Sequence, residues 1–214
     1  MDNIFEPPLP ERYRKTHKFF EPENLEKLII KYEGEAVLLV VDAQKEFADP
    51  WYGRGNKETV EVAERLQSII PQFRRAGVPV YAIYYSTSGE KDLHTIDFFK
   101  FHPAPEDKLF AKSTNSAFES GRLKGELEKE KRKLLLVCGF NEAACVKETV
   151  LSARKLGYDV CVMEDLAGND NYCINSRMVM SKLMDEKGAA VTTSDHVLKF
   201  LRKHHHQPHE PRAS

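Results

Sequence analysis

Histidine is scarce where a metal site would need it. No histidine falls between His17 and His94, and four of the eight crowd into the last eleven residues, where the "KHHH" run carries no site reasoning. Cysteine is sparse too: Cys138, Cys145, Cys161 and Cys173 show no C-x-x-C spacing. No apolar stretch approaches a membrane span, and "MDNIFEPPLP" lacks the layout of a signal peptide. With no export signal, free thiols in a reducing cytoplasm are expected rather than a disulfide framework. A formal net charge of -1 supplies no electrostatic case for nucleic acid or an anionic membrane surface. Internal repeats are absent.

What is present is a chain of 214 residues, 41% hydrophobic and 30% charged, enough for one large α/β domain with its own core. Residues 1–34 read as a Pro-rich extension carrying one amphipathic helix, "PENLEKLIIKY"; residues 35–203 form the domain, and 204–214 a tail. "EAVLLVVD" is a continuous apolar run closed by Asp42, the pattern of a parallel strand buried on both faces. Asn56 caps a long helical pattern that Gly77 stops, and Pro71 inside it predicts a kink or local break. "VPVYAIYY" is the next strand, and Ser86–Asp107 a long irregular connection of the kind that often carries function.

A short strand at Leu109–Ala111, a helix at Gly121–Glu130 and a strand at Lys133–Cys138 follow. Apolar spacing from Ala143 to Leu156 then predicts a helix with Cys145 in its first turn. The strand "YDVCVMED", the helix "YCINSRMVMSKLMDEKG", the strand "AAVTTS" and the helix "DHVLKFLRK" complete the pattern. Such β-α alternation predicts an α/β fold, a mostly parallel, doubly wound sheet with helices on both faces. In that architecture ligands bind beyond the carboxyl ends of the strands, where Asp42 and Cys145 both point.

Cys145 sits where unpaired N–H groups and the helix dipole favour thiolate, a placement that suits a nucleophile better than a packing residue. Asp42 either caps the loop after its strand or offers a buried carboxylate with a raised pKa. Lys112, after the short strand in "LFAKSTNSAF", either lies along the surface or stands between acid and thiol. Cys138 and Cys161 read as packing within strands, and Cys173 opens a helix with no acid or lysine motif around it. "KGELEKEKRK" is a solvated helix end.

Taken together, "LLVVDAQKEF", "LFAKSTNSAFESGRLKGEL", "LLVCGFNEAACVKETVLSARKLGYDV" and "GAAVTTSDHVLKFL" resemble the isochorismatase-like cysteine hydrolase superfamily from about Ala36 to Leu201. The resemblance implies a three-layer αβα sandwich and a catalytic triad of Asp42, Lys112 and Cys145. It implies an oxyanion hole from the backbone N–H groups of Asn141 and Cys145, and a cis peptide at Phe140–Asn141. The expected reaction is cleavage of a small amide C–N bond through a thioester, with vinyl-ether hydrolysis of the isochorismatase type, or a catalytically idle binding or effector role, as alternatives. Phe47, Trp51 and Phe140 are candidates for the walls of a small-molecule pocket, or else ordinary core and subunit contacts.

Two departures qualify the resemblance. Members acting on nicotinamide carry an Asp and several His around a metal, whereas "DAQKEFADPWYGRGN" has no Asp-x-His and only "DLH" (Asp92, His94) echoes the cluster. No metal and no cofactor are therefore expected. Asn141 and Glu142 replace a small residue and a threonine, which bears on pocket polarity. Family members are commonly dimers or larger, so a homo-oligomer is implied, with no nucleic-acid or membrane partner.

Overall fold

The computed structural model describes residues 22–89, 96–173 and 187–205. Its centre is a parallel sheet of six strands, β1 (Ala36–Val41), β2 (Val80–Tyr85), β3 (Lys108–Lys112), β4 (Leu134–Phe140), β5 (Asp159–Gly168) and β6 (Ala190–Thr192), in the order β3-β2-β1-β4-β5-β6. The order reverses between β1 and β4, and that reversal opens a crevice beyond their carboxyl ends.

Every residue of β1 and β4 is buried, as their unbroken apolar runs require. Alternation splits them between two cores. Leu38, Val40, Leu136, Cys138 and Phe140 face α1 (Pro22–Lys31), α3 (Lys57–Arg75) and α6 (Ser194–His205). Leu39, Val41, Leu135 and Val137 face α4 (Arg122–Lys129) and α5 (Lys147–Lys155), and so does Cys145. Helices on both faces make the expected three-layer α/β sandwich. Each buried Leu or Val contributes about 1.5–3 kcal/mol to holding the layers together. A short helix α2 (Lys45–Ala48) and a 3₁₀ turn at Pro50–Tyr52 follow the end of β1.

Several boundaries differ from the sequence reading. α3 runs on through Pro71 instead of breaking there. The carbonyl that loses its partner belongs to Gln67, on the exposed side of the helix, where water can serve it. The Asn56 cap is present as a full capping box, with Asn56 accepting from Thr59 N and Thr59 accepting from Asn56 N. β5 continues past Asp165 to Gly168 through an irregularity: opposite β4, Val137 pairs with Val162 but Gly139 with Ala167. That bulge turns Asp165 to accept bonds from Ser194 N and Oγ, at 2.7 and 2.6 Å. The expected helix at 172–188 and the Asp92–His94 pair lie largely or wholly outside the described residues, as do residues 1–21 and 206–214.

Candidate active site

Asp42 is the first residue after β1, fully buried, with a positive φ of 49°. Asp tolerates that left-handed geometry better than most residues. Its backbone is pinned on both sides: Asp42 N donates to Ile83 O at 2.9 Å, and Asp42 O accepts from Gln44 N at 2.7 Å. Gln44 then ties the ends of β1 and β2 together, accepting from Tyr85 N at 2.6 Å and donating to Tyr85 O at 3.2 Å.

Lys112, the last residue of β3, sends its buried side chain across the end of β2, with Nζ 5.3 Å from the centre of the Tyr85 ring. Nζ ends 2.7 Å from Asp42 Oδ2 and 3.3 Å from Cys145 Sγ, and donates to Thr114 O at 3.0 Å. Cys145 Sγ also lies 3.6 Å from Asn115 Oδ1, an exposed side chain at the mouth of the site. The Lys112 loop is fastened to α5 by Ala117 N donating to Thr149 Oγ1 (3.1 Å) and by Ser116 Oγ at 2.8 Å from Ser152 Oγ.

Cys145 sits in a π-helical turn, Glu142–Val146, that runs into α5. The peptide bond Phe140–Asn141 before that turn is cis. Position alone argued for a thiolate, but the environment reverses this. Burial, and next the charge of Asp42, push the Cys145 thiol up to about 12, with Lys112 pulling the other way. Burial likewise pushes the Asp42 carboxyl up, against the pull of the Lys112 ammonium. Burial works against the charge on Lys112 too, but Asp42 and Cys145 outweigh it and hold the ammonium above its ordinary value. Lys112 thus stands as an ammonium between the Asp42 carboxyl, whose hold on a proton burial strengthens, and a Cys145 thiol that burial keeps neutral.

A cavity of about 390 Å³ opens beyond the Gln44–Tyr85 tie, between Gln44, Glu46 and Tyr52 on one side and Tyr85–Thr87, Ile96 and Asp97 on the other; Asp42, Lys112 and Cys145 do not line it. A second of about 250 Å³, lined by Lys112, Ser113, Glu119 and Arg122, shares Ser86 and Thr87 with it. Neither is lined by the three aromatic residues expected as walls. Phe47 is buried with its ring edge-on to Tyr85 at 6.2 Å, Trp51 is 89% exposed, and Phe140 is fully buried on the α3 face of the sheet. Alternation along β4 turns Phe140 away from the Cys145 face. The aromatic walls are Tyr52 and Tyr85 instead.

The Asn141 and Glu142 side chains meet residues just beyond β5 rather than either cavity. Asn141 Nδ2 donates to Asp170 Oδ2 at 3.0 Å, and Glu142 Oε2 accepts from Asn169 Nδ2 at 3.0 Å. Among the described residues no three His, Cys, Asp or Glu side chains gather as a metal site would need. Nor is any helix among them long and apolar enough to cross a membrane. All four cysteines are free.

The model of the isochorismatase domain matches residues 36–196, spanning the whole sheet and every site residue above. The chain is an isochorismatase-family hydrolase. This hydrolase is 24% identical over 173 residues to the secreted isochorismatase effector Isc1 of Verticillium dahliae, covering 75% of this chain and 90% of that one. It is also 24% identical over 188 residues to the isochorismatase family protein YrdC of Bacillus subtilis, covering 80% and 100%. Among solved structures, a cysteine hydrolase from Pseudomonas syringae pv. phaseolicola matches with a TM-score of 0.71 at 17% identity, over 88% of this chain and 99% of that one. N-carbamoylsarcosine amidase from Thermoplasma acidophilum gives 0.63 at 22%, over 75% and 97%. At these identities the structural likeness is one of fold.

Proposed function

We infer that this hydrolase cleaves a small amide-type C–N bond through a thioester on Cys145. One observation carries the reading: the Lys112 ammonium lies within 3.3 Å of both the Asp42 carboxylate and the Cys145 sulfur, deep in the crevice where the strand order reverses. A surface lysine, a loop-capping aspartate and a packing cysteine have no reason to converge there.

In the first half-reaction Asp42 takes the Cys145 proton as Sγ attacks the carbonyl carbon. Lys112 stabilises the charge on sulfur while the proton is in transit. Backbone N–H groups of Asn141 and Cys145 receive the developing oxyanion. Asp42 returns its proton to the nitrogen, the C–N bond breaks, and the amine leaves. Water then loses a proton to Asp42 and attacks the thioester; the C–S bond breaks, the acid departs and the proton returns to sulfur. Each proton and each charge is handled by the chain's own groups, so the steps call for no cofactor.

Four free thiols, two of them buried in strands, suit a reducing cytoplasm; secretion belongs to the fungal relative named above. A homo-oligomer is part of the same reading; the exposed aromatic side chains of Trp51 and Tyr172, 89% and 77% accessible, leave apolar surface for it to cover.

The test is ammonia release from a panel of primary amides and ureides, comparing the native chain with Cys145→Ala and Cys145→Ser. Loss of turnover by about 10³-fold or more in both variants supports the reading. Vinyl-ether hydrolysis does not use the thiol and releases no ammonia. Turnover of an enol ether added to the panel by the native chain and Cys145→Ser alike, with no ammonia from any amide, would replace the amide reading with that one. No turnover of any panel member by the native chain would leave a binding role.

A further inference from the structure

The nucleophile loop is held from outside by two residues that follow β5. Asn141 and Asp170 exchange a pair of bonds: Asn141 Nδ2 donates to Asp170 Oδ2 at 3.0 Å, and Asp170 N donates to Asn141 Oδ1 at 2.7 Å. Asn169 does the same for the next two residues, accepting from Ala143 N at 2.9 Å and donating to Glu142 Oε2 at 3.0 Å. Asn141, Glu142, Asn169 and Asp170 are all buried. Three of the four residues before Cys145 are therefore fixed by side chains from a different strand end.

A buried carboxylate needs a counter-charge, and Arg54 provides it. Its Nε and one terminal nitrogen lie 2.8 and 2.7 Å from Asp170 Oδ2. The same guanidinium stacks 4.9 Å from the centre of the Phe47 ring and reaches Glu46 Oε1 at 3.3 Å. Glu46 lines the larger cavity. A continuous set of contacts thus runs from the cavity wall through Arg54 and Asp170 to the Asn141 side chain, four residues before the nucleophile.

We propose that Arg54 and Asp170 are positioning residues, which hold the nucleophile loop so that its backbone N–H groups meet the carbonyl under attack. The proposal rests on the thioester reading above. Its physical basis is that oxyanion donors act by being already in place, and a displacement of about 1 Å can cost on the order of 10²-fold in rate.

Two reactions of the same sulfur separate positioning from folding. Acylation by p-nitrophenyl acetate forms the Sγ–C bond, expels nitrophenolate and passes the thiol proton to Asp42, with an oxyanion on the way. Alkylation by iodoacetamide displaces iodide at a saturated carbon and develops no oxyanion. Asp170→Asn and Arg54→Gln should slow acylation of Cys145 by about 10–100-fold while alkylation stays within about two-fold. Asp170→Asn removes the buried charge and leaves only a partly exposed arginine, so it remains foldable even if Arg54→Gln, which strands the carboxylate, does not. Unchanged acylation, or acylation and alkylation falling in parallel, would overturn the proposal. If the native chain is not acylated at all while Cys145 still alkylates, the thioester reading fails first, and the positioning role with it.

Discussion

Asp42 and Lys112 stand 2.7 Å apart with neither side chain exposed, although they end strands that are not neighbours. β2 lies between β1 and β3, and the lysine stem crosses its end over Tyr85. Lys112→Met keeps that stem and removes the charge, leaving Asp42 buried without its cation. The expected loss is about 3–5 kcal/mol at pH 8. Its pH dependence follows from the sign of the Asp42 shift. Burial already raises the folded-state pKa above the unfolded value, and removing the cation raises it further. The folded variant then keeps a proton that the unfolded chain has lost, so its stability deficit grows as pH rises above the ordinary carboxyl range. Urea denaturation at pH 5 and pH 8 measures this, and a deficit equal at both would contradict it.

Gly139 marks where β4 passes β1 at closest quarters. Its φ is 115°, and a Cβ there would stand 2.0 Å from Val41 O. Gly139→Ala should cost about 4 kcal/mol or more, or prevent folding, because the atom it meets is backbone and cannot rotate away. Gly125, inside α4 with nothing within 4 Å of its would-be Cβ, is the contrast. Gly125→Ala should stabilise by about 0.5–1 kcal/mol. Thermal denaturation of the two variants tests both signs.

The reasons some features were legible and others not are physical. Asp42, Lys112 and Cys145 each stand at or just after the end of an apolar run, and a parallel sheet gathers such ends on one side. The side on which Phe140 falls was hidden, because a strand buried on both faces has no polar alternation to reveal it. Asn169 and Asp170 carry no signal in the sequence, since "GNDN" reads as an ordinary loop and no spacing rule connects it to "FNEA" some thirty residues earlier. For Cys145 the helix position that favours a thiolate can be read from sequence, and so can the opposing charge of Asp42, whereas the burial that raises the thiol most cannot. Pro71 predicted a break, but the exposure of Gln67 that makes the lost hydrogen bond tolerable depends on which way α3 packs.

Arg65 and Asp165 test the far side of the same sheet. Arg65 Nε lies 2.7 Å from Asp165 Oδ2 with both side chains buried, and a terminal nitrogen reaches Asp195 at 2.9 Å, joining α3 to the β5 bulge and to α6. Arg65→Met should destabilise by about 3–5 kcal/mol, since a buried carboxylate is left behind. Adding Asp165→Asn to that variant should cost less than the sum of the single changes, because the stranded charge is gone. Strict additivity in a double-mutant cycle would show the contact to be energetically empty.

The last prediction concerns the sulfur itself. A thiol pushed up to about 12 is almost entirely protonated near neutral pH, so Cys145 should alkylate slowly at pH 7. Its rate should climb steadily with pH instead of levelling off near neutrality. Cys161 is pushed up to about 12 as well, and burial raises Cys138 further in the same direction, so ionisation does not set Cys145 apart from Cys161. Access does: Cys145 retains 6% exposure at the crevice, while Cys138 and Cys161 have none. Cys145 should therefore label well ahead of both in the folded protein at every pH. Lys112→Ala should slow it further, because the ammonium is the group that pulls the thiol down. Peptide mass spectrometry after brief, substoichiometric iodoacetamide treatment across pH 6–10 gives the profile. A rate that saturates near pH 7 would mean that Asp42 already holds the proton at rest, and Cys145 labelling no faster than Cys138 would make it a packing residue.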